Sequence, residues 1–279
     1  MSLQLRHFHR KFALSSVALA SAILGPSAFA NGGVTVIQGV RTPYVINLPG
    51  SYQLGSDLAS TGTGAIVITA PLVTLDLNGF TISCTACSGS NGIQVEASGA
   101  TIRNGTVIGF AGSNAYAIVF QGGTNPIYGK VDHVTVMQNG NGIGGSIASE
   151  LTVIESNASN NTTLGIFGPG TLTVINSKVA NNTQDGIFMA NGLVTGSTIN
   201  GNGLGGFGIR AGINVSGAAT VTNNLISYNA MWGLGSSNTT VLAVGFGSNT
   251  FYGNGAAGDV PSGGGFTSMR NNVSTMGVF

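Results

Sequence analysis

The sequence predicts an all-β solenoid of about seven to eight rungs, in which each turn of the coil contains two or three short parallel strands. The chain of 279 residues contains 46 glycines and only 6 % charged residues, whereas globular proteins average about 7 % glycine and about 25 % charged residues. A short apolar unit recurs at intervals of 21 to 25 residues. Stretches rich in Val, Ile, Leu and Thr alternate with Gly and Asn turns, which is typical of short strands.

The composition excludes several other classes of protein. Glycine costs about 1 kcal/mol at each helical site, so a coiled coil or a helical bundle is excluded. A nucleic-acid-binding protein needs a basic surface, and the formal charge is only +1. Hydrophobic residues make up 42 % of the chain, too many for a disordered protein of low net charge. The aperiodic glycines and only 7 prolines exclude collagen.

Residues 1–30 have the pattern of a cleaved secretory signal peptide. Basic residues at positions 6, 10 and 11 precede the apolar stretch Phe12–Leu24, and small residues flank a cleavage site before Asn31. The stretch is shorter than the roughly 20 residues that span a bilayer, so no stable membrane insertion is expected. We therefore expect export to the periplasm, the cell surface or the medium. Removal of this segment leaves six basic and eight acidic residues, a formal charge of −2.

The rest of the chain divides into three predicted parts. Residues 31–64 form a lead-in and N-terminal cap, residues 65–258 form the solenoid domain, and residues 259–279 form a C-terminal cap or tail. The two cysteines of the chain are Cys84 and Cys87. In an exported protein this spacing favours a local disulfide over a zinc site, because zinc needs four ligands and the sequence lacks a second Cys or His pair.

A small residue followed by an aliphatic residue marks each repeat, and we call this pair the anchor of the repeat. The copies are Gly92-Ile93, Ala117-Ile118, Gly142-Ile143, Gly165-Ile166, Gly186-Ile187, Gly208-Ile209 and Gly233-Leu234. One unit cannot bury its apolar face alone, so the units stack with equivalent residues about 4.8 Å apart. Equivalent asparagines are expected to hydrogen-bond from rung to rung. The predicted inward column consists of Val107, Val136, Ala158, Val179, Ile199, Ile226 and Phe251.

Two segments, residues 65–82 and residues 100–110, resemble the first rungs of right-handed parallel β-helix proteins of the pectin-lyase-like superfold. Residues 48–54 resemble the segment that leads into the first rung, and the resemblance extends over roughly residues 45–255. It implies a single-stranded right-handed parallel β-helix. The superfold includes polysaccharide lyases, hydrolases, epimerases and non-catalytic proteins, so the resemblance does not identify an activity.

The densest polar patch contains Arg103, Lys130, Asp132 and His133. In one interpretation Lys130 or His133 acts as a base. Arg103 would then bind a substrate carboxylate, and Asp132 would orient the base. We favour a structural interpretation, because His133 falls on a turn position of the repeat. In addition, Asp76, Arg103 and Asp132 form a column of alternating charge when the repeats are aligned.

Other signals of chemistry are sparse. The acidic residues are scattered and calcium needs 6–8 oxygen ligands, so we expect no metal ion or other cofactor. The sequence lacks the Gly-His-Gly segment of galacturonan hydrolases and the Asp-Pro-His-Asp motif of mannuronan epimerases. Irregular loops of a solenoid often bind ligands, and three aromatic residues in such loops are candidates for stacking on sugar rings. They are Phe110, Tyr116 and Tyr128.

Two functions fit this sequence. We favour an exported scaffold that is non-catalytic or binds polysaccharide, with no nucleic-acid partner. The alternative is a polysaccharide lyase, or a related carbohydrate-active enzyme, that acts on acidic glycans. Only His133 and fourteen charged side chains follow residue 30, and this scarcity of titratable groups favours the first function. The sequence assigns neither a particular glycan nor an oligomeric state.

Overall fold

A computed structural model of the chain describes residues 29–31, 33–123, 125–206, 209–236, 238, 243–255, 257–260, 265–274 and 277–278. The predicted signal peptide lies outside the described residues, apart from residues 29 and 30. In the described part all regular structure is β, and it forms one continuous sheet. The strands are β1 (Phe29–Asn31), β2 (Val34–Ile37), β3 (Tyr44–Ile46), β4 (Gly50–Leu54), β5 (Leu58–Ser60), β6 (Ile66–Ile68), β7 (Val73–Asp76), β8 (Thr81–Cys84), β9 (Ile93–Val95), β10 (Ala100–Ile108), β11 (Tyr116–Phe120), β12 (Ile127–Met137), β13 (Asn141–Gly145), β14 (Ser149–Ile154), β15 (Asn157–Ser159), β16 (Ile166–Ile175), β17 (Lys178–Ala180), β18 (Ile187–Thr195), β19 (Thr198–Asn200), β20 (Ala211–Val215), β21 (Ala218–Thr222), β22 (Leu225–Ser227), β23 (Trp232–Gly235), β24 (Ala243–Gly247), β25 (Thr250–Tyr252), β26 (Phe266–Ser268), β27 (Val273–Ser274) and β28 (Gly277–Val278).

The strands build the three faces of a parallel coil, which we name A, B and C. Face A contains β2, β4, β7, β10, β12, β14, β16, β18, β21, β24 and β26. Face B contains β5, β8, the second halves of β10 and β12, β15, β17, β19, β22, β25 and β27. Face C contains β3, β6, β9, β11, β13, the first halves of β16 and β18, β20 and β23. The predicted all-β solenoid is confirmed.

The coil has about nine turns, slightly more than the seven to eight expected. The difference arises within residues 44–60. There, β3, β4 and β5 pair in parallel with β6, β7 and β8, one on each face. These residues therefore complete a turn of the coil ahead of the first repeat that the sequence pattern reveals.

The predicted inward column is confirmed at every step. Val107 pairs with Val136, Val136 with Ala158, and the register continues without a shift to Phe251. These side chains are buried in the hydrophobic core that runs along the axis of the coil. Because side chains alternate in direction along a strand, their neighbours in the same strands face outward.

One copy of the predicted repeat is wrong. The residue that pairs with Ile187 on face C is Ile213, so the anchor of this rung is Gly212-Ile213 rather than Gly208-Ile209. The loop that follows β19 lengthens this rung and shifts the true anchor toward the C-terminus. Gly208-Ile209 has the same sequence pattern as Gly212-Ile213 and lies four residues before it, which explains the wrong assignment.

Two ladders of buried polar side chains line the turns of the coil, as the sequence predicted for asparagine. In each, the side-chain oxygen of one rung accepts the backbone N–H of the preceding rung, as between Asn202 and Asn182 at 3.1 Å. The first ladder contains Asn139, Asn161, Asn182, Asn202, Asn229 and Asn254. The second ladder contains Ser156, Ser177, Ser197, Asn224, Asn249 and Asn272.

No helix among the described residues is long and apolar enough to cross a membrane. Cys84 and Cys87 are joined by a disulfide beside the end of β8, and both side chains are buried against the core.

Candidate functional site

The structure brings the charged sequence candidates together at the turn from face A to face B. Arg103 and Asp132 occupy paired positions in neighbouring strands, and the Arg103 Nε atom lies 2.9 Å from the Asp76 Oδ2 atom. Lys130 Nζ lies 2.7 Å from Asp132 Oδ2. We call Asp76, Arg103, Lys130, Asp132, His133 and Glu155 the charged cluster. Its residues lie on four successive rungs.

His133 occupies the turn position that the repeat predicts. Its φ is +54°, and the residues in the equivalent turns also have positive φ angles. Both ring nitrogens face carboxylate oxygens: Nδ1 lies 2.6 Å from Asp132 Oδ1, and Nε2 lies 2.5 Å from Glu155 Oε2. Both nitrogens of His133, either of which could act as a general base, are therefore already in contact with carboxylates of the protein. The equivalent residues are Asn104, Glu155, Asn176 and Asn223.

Neighbouring groups also hold Asp132 in its charged form. A hydrogen bond from Lys130 lowers the pKa of the Asp132 carboxyl, and the contact with His133 acts in the same direction. A depressed pKa keeps the carboxylate ionised and suits it to an ion pair rather than to proton donation. Among the described residues, no group of three or more His, Cys, Asp or Glu side chains is arranged to hold a metal ion.

The three aromatic candidates do not lie together. Phe110 is fully buried, and its backbone N–H donates to Asn139 at the start of the first ladder. The proposal that the Phe110 ring contacts a ligand is therefore wrong, because the supposed loop residue is part of the core. Tyr128 is 51 % exposed on face A, whereas Tyr116 lies on face C.

Face C carries a row of aromatic side chains that the sequence analysis did not identify. Its outward column passes in register through Gly144, Phe167, Phe188, Asn214 and Gly235. The rings of Phe167 and Phe188 are partly exposed, and their centroids are 5.3 Å apart with an angle of 31° between the planes. These two rings occupy consecutive rungs in the middle of the coil.

Two further rings extend this row, because each lies over a glycine of the same column. The Tyr116 ring fills the space outside Gly144, where an added Cβ would collide with ring carbons. Trp232 covers Gly235 in the same way, with its Cβ and Cγ atoms each 3.1 Å from where a Cβ on Gly235 would lie. We call Tyr116, Phe167, Phe188 and Trp232 the aromatic face. The column that these rings cover, from Gly144 to Gly235, spans five successive rungs at about 4.8 Å and is therefore about 19 Å long.

A comparison with protein families supports the architecture. A model described as "right handed beta helix region" matches residues 91–256. The chain belongs to this β-helix family. The comparisons with curated proteins and with solved structures found no match.

A buried carboxylate lies between the rung of the β-helix that carries Phe188 and the rung that follows it. Asp185 is 6 % exposed, and its Oδ1 atom accepts the Ala211 N–H at 2.7 Å. Its Oδ2 atom accepts a hydrogen bond from Asn214 at 2.7 Å. Asn91 and Asn141, two residues before the equivalent core isoleucines of earlier rungs, each accept a backbone N–H from the following rung. Asp185 thus accepts the same backbone hydrogen bond from the following rung that asparagine accepts at this position of earlier rungs.

We expect Asp185→Asn to raise the melting temperature by a few degrees at pH 7. Burial raises the pKa of the Asp185 carboxyl. The stability associated with its protonated form is therefore present below the unfolded pKa of about 3.9 and is lost as the pH rises through the folded pKa. An amide retains an acceptor for Ala211 without this cost. Its NH2 group then faces the Asn214 side chain, which must turn its amide so that the Asn214 oxygen accepts. Thermal unfolding between pH 3 and pH 8 measures the effect.

The gain should disappear near pH 3, where the wild-type carboxyl is protonated in both states. Glu150→Gln, at an exposed position, is the control and should leave the melting temperature nearly unchanged across the range. Parallel curves for Asp185→Asn and the wild type would rule out a buried charge as the cause.

Proposed function

We propose that the protein is an exported, non-catalytic scaffold that binds polysaccharide along its aromatic face. The observation that carries this proposal is the row of four rings on consecutive or nearly consecutive rungs. Aromatic rings bind the apolar faces of sugars, and a rigid sheet holds them in fixed positions before the ligand arrives. The spacing of one rung is comparable to the width of one sugar ring, so an extended glycan could contact several rings at once.

The charged cluster supports the non-catalytic part of the proposal. A lyase needs a base that is free to remove a proton from the substrate. Lys130 and both nitrogens of His133 are instead paired with carboxylates of the protein. Two of its ion pairs join neighbouring rungs, Asp76 to Arg103 and His133 to Glu155, which is the role expected of structural pairs at a turn.

We expect the double substitution Phe167→Ala and Phe188→Ala to weaken glycan binding by tenfold or more. Each ring contributes roughly 1 kcal/mol of stacking, and about 1.4 kcal/mol corresponds to a factor of ten. A glycan array identifies the ligand, and calorimetry with the wild type and the variant measures the loss. Tyr128→Ala is the matched control, because it removes an exposed ring from face A and should leave the affinity unchanged.

The same glycans should be tested for cleavage by following the absorbance of the double bond that a lyase forms. The proposal predicts binding without any increase in absorbance. An increase that is abolished by Lys130→Ala and His133→Ala would establish the lyase alternative. A loss of affinity in Tyr128→Ala but not in the double variant would place the binding surface on face A.

A further inference from the structure

An apolar groove adjoins the aromatic face at Phe167. It has a volume of about 660 Å³, and Phe167 and Pro169 form part of its wall. The loop that connects β13 to β14 supplies Ser146, Ile147 and Ala148. Ile147 is 83 % exposed, so a large aliphatic side chain stands in solvent at the edge of this groove. Its position next to the rings makes the groove part of the same binding surface.

This side of the β-helix is uncharged. None of the six strands that form it, β11, β13, β16, β18, β20 and β23, contains an acidic or a basic residue. Asp185 and Arg210, which lie just before β18 and β20 in the sequence, each form contacts within the protein. Asp185 is buried by its hydrogen bonds, and the Arg210 guanidinium donates to the Met231 sulfur at 2.8 Å. An acidic glycan carries carboxylates that need cations for recognition, and the strands of this surface contain none.

Ser146, one of the residues that line the groove, has a hydrogen-bonding group that the described part of the protein does not use. The Ser146 hydroxyl oxygen is buried and has no hydrogen-bond partner among the described residues. A hydroxyl can donate one hydrogen bond, and a buried polar group without a partner carries a free-energy cost. A ligand with a carbonyl oxygen and a small apolar group would match the Ser146 hydroxyl and the apolar walls together.

We infer that the ligand is a neutral glycan whose sugars carry acyl groups such as O-acetyl, and that the groove binds the acyl group. This inference rests on the proposed function, because it assigns a chemical class to the glycan that the aromatic face binds. The rings contact the sugar backbone. The groove beside Phe167 takes the acetyl methyl group, and Ser146 donates to the acetyl carbonyl oxygen.

The test compares three probes by calorimetry: a partially O-acetylated neutral oligosaccharide, the same oligosaccharide after chemical deacetylation, and an oligogalacturonate of equal length. We expect the acetylated probe to bind about tenfold more tightly than the deacetylated one, which corresponds to about 1.4 kcal/mol. Ile147→Ser and Ser146→Ala should each reduce this preference to threefold or less. Leu204→Ser, at a residue that is 70 % exposed outside the groove, is the control.

The outcomes separate the inference from the proposed function. Equal binding of the acetylated and deacetylated probes, with loss of both in the Phe167 and Phe188 double variant, would overturn the acyl inference and leave the aromatic face in place. Tighter binding of oligogalacturonate would also overturn the inference. An absence of binding to all three probes and to a wider glycan array would overturn the proposed function as well.

Discussion

Replacing Asn202 with alanine is expected to lower the free energy of unfolding by about 3 to 5 kcal/mol. Asn202 is fully buried. Its side-chain nitrogen donates to Val179 O and to Asn229 Oδ1, each at 3.0 Å. Its side-chain oxygen accepts from the backbone and the side-chain nitrogens of Asn182, at 3.1 and 2.9 Å. Alanine would leave the Asn182 N–H without its acceptor and would remove one hydrogen bond each from Asn182 Nδ2, Val179 O and Asn229 Oδ1, on the two neighbouring rungs.

Chemical denaturation of wild type and variant measures this loss. Asn202→Asp is a second test, because it retains the oxygen that accepts from Asn182 but places another oxygen opposite Val179 O. It should destabilise the protein at least as much as alanine. The matched control is Asn200→Ala, two residues earlier, where the partly buried side chain donates to Ser227 Oγ at 3.0 Å. The control should cost about 1 kcal/mol. Equal losses at positions 200 and 202 would show that the ladder has no special role.

Gly186→Ala is expected to have the second large effect, a loss of at least 3 kcal/mol in the free energy of unfolding. A Cβ at this position would lie 2.6 Å from Gly212 O, 2.7 Å from the Asn202 Nδ2 atom and 2.8 Å from the Asn202 Cγ atom. Real Cβ contacts are longer than 3 Å, so the next rung, which contains Gly212 and the ladder residue Asn202, would have to move away from residue 186. Neighbouring rungs are coupled in a solenoid, so the damage extends beyond one turn.

Gly206→Ala is the matched control for this substitution. No heavy atom lies within 4 Å of a Cβ added at Gly206. Its replacement should therefore be neutral, or stabilising by up to about 1 kcal/mol through a less flexible unfolded chain. Melting temperatures of the two variants, measured side by side, give the comparison. A Gly186→Ala variant as stable as Gly206→Ala would contradict the close stacking of rungs at this anchor.

The parts of the fold that were predictable from sequence are those that recur in every rung. The column from Val107 to Phe251 and the turn position of His133 recur once in every rung, so alignment of the repeats was enough to find them. The anchor of one rung was wrongly assigned to Gly208-Ile209 because the loop after β19 makes that rung longer than its neighbours. Phe110 was misplaced because its surroundings in the sequence look irregular, although its N–H belongs to the Asn139 ladder.

The aromatic face was not predictable because its rings come from two different positions of the repeat. Phe167 and Phe188 directly follow the aliphatic anchor residue, whereas Tyr116 and Trp232 precede the small anchor residue. Alignment of the repeats therefore separates them into two columns. The structure joins the two columns, because Gly144 and Gly235 lack side chains and leave room for a ring. Trp232 lies three residues before Gly235 in β23, and Tyr116 pairs with Asn141, which lies three residues before Gly144. The sequence placed Arg103, Lys130, Asp132 and His133 in one patch, whereas the contact between His133 and Glu155 became visible only in three dimensions.

The measurement that tests the central claim most directly is the fluorescence of Trp232, the only tryptophan in the chain. Trp232 lies at one end of the aromatic face, so a glycan that occupies this face should change the intensity and wavelength of its emission. We predict a saturable change with the same affinity that calorimetry gives, and a weaker affinity by both methods in the Phe167 and Phe188 double variant. Binding by calorimetry that leaves Trp232 emission unchanged, with full affinity in the double variant, would contradict the assignment of glycan binding to this face.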